Sequence, residues 1–109
     1  MDSSEKLSQH RIEGWEERLI KDYYDYRWHK TLEPLCEWLQ RWKNGALSHE
    51  EMDRVIEETH QQICEMRSLF SQRQDRLVLL VQWLDREWFD TWVKEHAPPP
   101  GARLISPPQ

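Results

Sequence analysis

The chain has 109 residues and a net charge of −5, from 15 basic and 20 acidic residues. That is one domain's worth of chain. No apolar run nears the roughly 20 residues needed to span a bilayer, which excludes a membrane-spanning protein. The opening Met1-Asp2-Ser3-Ser4-Glu5 lacks the basic and apolar regions of a signal peptide. Two cysteines make no disulfide framework, and an acidic chain without a basic stripe is a poor nucleic-acid binder. The expectation is a small cytoplasmic protein with no nucleic-acid or membrane partner.

Between Ser4 and His96 the only glycines are Gly14 and Gly45 and the only proline is Pro34. So few breakers, with no alternating β-branched run and no hairpin turn dipeptide, predict an all-α chain. The first helix is expected from about Ser4 to Asn44. Ile12, Trp15, Leu19, Tyr23 and Tyr26 form one apolar series, and Trp28, Leu32, Leu35, Leu39 and Trp42 a second. The two series are out of phase by about two residues. Pro34 lies near the slip, so a kink or break is predicted between Trp28 and Leu35.

Asn44-Gly45-Ala46-Leu47-Ser48 reads as the turn. Gly45 suits the left-handed residue that closes a helix, and Ser48 with Glu51 has the form of a capping box. The second helix is expected from about His49 to His96. Met52, Ile56, Thr59, Ile63, Met66, Phe70, Arg73, Leu77, Leu80 and Leu84 keep heptad spacing. That register favours one continuous helix; the alternative is a break in the polar stretch Ser71–Asp75, with Ser71 and Gln74 as a second capping box. After His96 the chain is rich in proline, so the division is a helical domain over 1–97 and a flexible tail over 98–109.

The spacing of polar residues offers several candidate chemistries. Glu57-x-x-His60 resembles the ligand pairs of ferritin-like metal proteins, with Glu33 and Glu37 as conceivable helpers. No second such pair occurs, so Glu57 and His60 read first as a solvated pair. Asp22, Asp25 and His29 share a helical face but sit among Lys21, Arg27 and Lys30, which favours salt bridges. All-helical nucleotide pyrophosphohydrolases carry a doubled acidic pattern, of which only Glu87-x-x-Asp90 is present, and that reading is rejected. Cys36 and Cys64 are too far apart in register for a disulfide and read as reduced core or boundary residues. No Cys–His dyad, phosphate loop or serine nucleophile motif is apparent, so no catalytic residue and no cofactor are assigned.

The seven tryptophans and the all-apolar run Leu77–Val81 are the strongest features. A helix apolar all round must be enclosed on several sides, which two helices cannot do for each other. The expected fold is therefore a long antiparallel helical hairpin, kinked near Pro34, that dimerises into a four-helix bundle. A monomeric three- or four-helix bundle is the alternative. The expected homodimer interface is Leu77, Leu80, Leu84, Trp88 and Trp92. The function this suggests is a non-enzymatic protein–protein interaction module: a small adaptor, chaperone-like or regulatory subunit, with an unidentified protein partner besides itself. A ferritin-like metal protein and an inhibitor acting through an acidic face are the alternatives.

Overall fold

The structure is a computed structural model that describes residues 2–105, with side chains from Glu5 onward. Four helices follow one another: α1 (Asp2–Lys43), α2 (His49–Phe70), α3 (Gln74–Leu84) and α4 (Arg86–Glu95). No strand occurs among the described residues, and none of their helices is long and apolar enough to cross a membrane. The chain divides into two compact units. The first takes residues 1–23 and 72–109, and the second takes residues 24–71.

α1 runs unbroken for 42 residues with Pro34 inside it, so the break expected near Pro34 is absent. Proline removes only one amide from the ladder, and the remaining turns keep their bonds. The phase slip, between Tyr26 and Trp28, lies a few residues past the boundary of the two units at residues 23 and 24. Leu19 and Tyr23 are fully buried in the first unit. In the second unit Thr31 is the buried residue of α1, while Leu39 and Trp42 are exposed.

The turn follows its sequence signals. Ala46 N–H donates to Arg41 O at 2.9 Å and Gly45 N–H to Trp42 O at 3.1 Å. This pair of bonds is a Schellman closure, and it requires the left-handed residue that Gly45 supplies at φ +80°. Ser48 Oγ then accepts the Glu51 amide at 3.1 Å and opens α2. Tyr24 meets Phe70, with ring centroids 4.9 Å apart, while Trp42 Nε1 donates to His49 Nδ1 at 3.0 Å. The two helices of this unit therefore run antiparallel. Met52, Thr59 and Met66, seven apart, are the buried residues of α2, while Ile56 of the same expected stripe is 51% exposed.

The continuous second helix is not found. The chain breaks after Phe70 and again at Asp85. Ser71 closes α2 and does not open α3: its hydroxyl donates to Ser68 O at 2.6 Å, and its amide turns back to the same carbonyl. Arg73 precedes α3 without a side-chain cap. At Asp85 the backbone leaves helical values, with φ −136° and ψ 61°. There the Asp85 carboxylate accepts the Tyr23 hydroxyl at 2.7 Å. The residue at which α3 ends thus holds a fully buried tyrosine, and no local breaker residue announces that end.

The first unit builds its core from all three of its helical pieces. Leu19, Tyr23, Leu77, Val78, Val81, Phe89 and Trp92 are buried. Trp15 packs against Trp92 at 5.5 Å and edge-on to Phe89 at 6.3 Å, while Tyr23 meets Trp88 at 5.0 Å. Such offset and edge-on aromatic pairs add to the area they bury. Residues 99–105, part of the proline-rich segment expected to be flexible, lie against this unit. A turn with Ala102 N–H on Pro99 O (3.1 Å) precedes two contacts of the main chain with Gln82. Residues 106–109 of that expected tail lie outside the described residues.

Candidate interaction surface

α3 is apolar from Leu77 to Val81, and the helical repeat deals these residues onto two faces. Leu77, Val78, Val81 and Gln82 fall on the inner face and are buried. Leu79, Leu80, Trp83 and Leu84 fall within the opposite arc. Trp83 is 76% exposed, Leu84 54% and Leu79 37%. The Trp83 indole N–H has no acceptor among the described residues. A large aromatic ring so placed contributes little to the unit's own core, and contiguous apolar surface of this kind marks contact sites.

The five residues expected at an interface are therefore divided. Leu77 and Trp92 belong to the core of the first unit, at 2% and 7% exposure. Leu80 and Trp88 are half-buried, and Leu84 is exposed. Trp83 and Leu79 are the outward residues that the heptad register passes over, because a heptad counts only every third or fourth position.

Behind this surface, polar ties hold the first unit's helices. Trp92 Nε1 donates to Asp22 Oδ2 at 2.8 Å, and Arg18 Nε donates to the same oxygen at 3.0 Å. Trp15 Nε1 donates to His96 O at 3.0 Å, and the His96 ring stacks on Trp92 at 4.3 Å, 8° from parallel. Burial pushes the Asp22 carboxyl pKa up. The bonds from Trp92 and Arg18, with the charges of Arg18 and His96, outweigh it and hold the pKa below the ordinary aspartate value. Glu16, also buried, accepts from Gln74 Nε2 at 3.3 Å.

Of these polar residues, the spacing singles out Asp22 as a metal candidate and Gln74 as part of a capping box, and neither role is the one seen here. Gln82 could have been noticed: it interrupts an apolar run and is 1% exposed.

The candidate ligating residues Glu57, His60, Glu33 and Glu37 belong to the second unit. All four are exposed. Among the described residues no group of three or more His, Cys, Asp or Glu side chains is placed to hold a metal ion. His29 lies between Asp25 (3.8 Å) and Glu33 (3.5 Å) on the surface of α1, while Asp22 is taken by Trp92 and Arg18. Cys36 and Cys64 are free and exposed, so they are not core residues. Cys64 Sγ lies 3.6 Å from His60 Nε2. That i, i+4 contact escaped the sequence reading, which excluded a Cys–His pair. Both partners are exposed, and neither is oriented by a third group among the described hydrogen bonds.

No protein-family model, curated protein or solved structure matches the chain.

Proposed function

We propose that the protein is a non-enzymatic interaction module, a small adaptor, chaperone-like or regulatory subunit, that works through the outer face of α3. The observation that supports this reading is Trp83, 76% exposed between the exposed Leu79 and Leu84. Tryptophan is enriched among the few interface residues that dominate binding energy. The first partner we assign is a second copy of the chain, giving a homodimer centred on Leu79, Leu80, Trp83 and Leu84. These four positions carry no charge, so like faces are compatible when brought together by a two-fold axis. Two free, exposed cysteines fit a reducing compartment such as the cytoplasm.

The test is the mass in solution by light scattering at micromolar concentration. The homodimer predicts twice the chain mass of 13.4 kDa. Trp83→Glu with Leu84→Glu should return a monomer with an unchanged helical spectrum, because charge at a desolvated contact is costly. A wild type that already runs at 13.4 kDa would overturn the homodimer.

A further inference from the structure

Gln82 is a fully buried side chain whose two amide atoms both serve the main chain of a segment far along the sequence. Its Nε2 donates to Arg103 O and its Oε1 accepts Ile105 N–H, each at 2.7 Å. The two bonds flank residue 104, as the bonds of one strand residue flank its neighbour in a parallel ladder. The Gln82 side chain therefore plays the part of a strand. Arg86, the first residue of α4, adds a charge-assisted bond from Nη1 to Ile105 O. Asp75 lies 3.6 Å from the Arg103 guanidinium. Ile105 is half-buried, whereas Leu104 between the two bonded residues is 52% exposed.

We propose that Gln82 and Arg86, with Asp75, form a peptide-binding site for extended segments that carry a basic residue and, two positions on, an aliphatic one. The chain's own residues 103–105 are its resident occupant. The recognition is mostly of main chain, as in strand-addition sites, so it transfers to any segment with an extended backbone. Asp75 supplies the preference for a basic side chain at the first position, and the half-buried Ile105 position supplies the aliphatic preference. The site is distinct from the outer face of α3, since Gln82 belongs to the inner one.

The occupant is tethered through a single turn. Ala102 bonds Pro99 across it, and Gly101 sits there at φ +87°. A Cβ on Gly101 would lie 3.3 Å from Ile12 Cδ1. A β-branched residue is strongly disfavoured at that backbone angle. Gly101→Val in the full chain should therefore release residues 103–105 and leave the Gln82 site open.

A ligand's apparent affinity falls with the fraction of sites that are open. A fluorescent peptide of sequence Gly-Ala-Arg-Leu-Ile, followed by anisotropy, should bind Gly101→Val at least about tenfold more tightly than the wild type. Gln82→Met in the Gly101→Val background keeps the volume and removes both amide bonds, and should abolish the gain. Replacing Arg by Glu in the peptide should weaken its binding. Equal binding by wild type and Gly101→Val, or no effect of Gln82→Met, would overturn the proposal. Should the variants lose their helical spectrum, hydrogen exchange on the wild type decides. The Ile105 amide should exchange slowly, and excess peptide should accelerate it; an Ile105 amide whose exchange the peptide leaves unchanged overturns the proposal.

Discussion

The two units of this protein solve the burial problem in different ways. The first encloses a core: seven apolar side chains are buried there, Leu19, Tyr23, Val78 and Val81 completely. The second has only two, Met52 and Met66, with Thr31 and Thr59 as their polar neighbours. Two helices side by side can cover one stripe on each other and no more. Ile56 and Tyr24 therefore stay 51% and 43% exposed in the second unit. Three helical pieces and a strap of extended chain can surround side chains, and the first unit does so. The second unit is a seam, spaced by heptads and filled with adaptable methionine.

The kinds of polar contact differ as well. The first unit joins distant positions through buried or half-buried polar groups: Trp92 to Asp22, Tyr23 to Asp85, Trp15 to His96. The side-chain bonds described in the second unit span seven residues or fewer: Ser48 to Glu51, Thr59 to Val55 and, across the turn, Trp42 to His49. Losing one long-range tie separates elements, whereas losing a local one frays a helix end. Stability should thus depend on substitutions in the first unit more steeply than on those in the second.

The largest expected effect is from Leu19→Ala, which empties a site with no solvent access and should cost about 2–5 kcal/mol in urea unfolding. A loss below about 1 kcal/mol would mean that the core can collapse around the gap and is no true enclosure.

Next is Asp22→Ala, which leaves the Trp92 indole N–H without its acceptor and should cost about 1–3 kcal/mol near neutral pH. Its pH dependence has a definite sign. Because the folded pKa lies below the unfolded one, the carboxylate stabilises the fold above the unfolded value. That contribution is lost as pH falls through the folded value. The stability gap between wild type and Asp22→Ala should narrow on acidification from about pH 7 to about pH 3. A gap independent of pH would show that packing, not charge, was lost.

In the second unit, Ser48→Ala should cost about 1 kcal/mol through its cap, and the loss should appear as fraying at the start of α2 in hydrogen exchange. The smallest effect is expected from Ile56→Ala, at about 0.5 kcal/mol or less, since half of that side chain is already in water. If Ile56→Ala proved as damaging as Leu19→Ala, something would be covering that face, and the contrast between core and seam would fail.

Some of this architecture could be read in the residues alone. The scarcity of glycine and proline gave the helices, and Gly45 with Ser48 placed the turn, because each of these signals acts through its own backbone neighbours. Pro34 does not interrupt α1, because the cost of a proline depends on what the rest of a long helix gains. The end of α3 at Asp85 escaped because no local breaker marks it and the partner of its carboxylate, Tyr23, is 62 residues away. The run Leu77–Val81 predicts enclosure on several sides, whereas the structure buries Leu77, Val78 and Val81 and leaves Leu79 37% exposed. It could not say which residues would be left outside, since the inner face is chosen by Leu19, Tyr23 and Phe89 from elsewhere in the chain. Gln82 was overlooked for the same reason: a polar residue in an apolar run has meaning only once its distant partner is known.

The placement of Trp83 also gives the molecule a native optical signal. An indole in water emits at longer wavelength than one shielded from it, and Trp83 is 76% exposed, whereas Trp92 is 7% exposed. Whatever settles on the outer face of α3 must dehydrate that ring first. The red edge of the emission spectrum should shift to the blue as the face becomes covered, so its occupancy can be followed in the unlabelled protein by steady-state fluorescence.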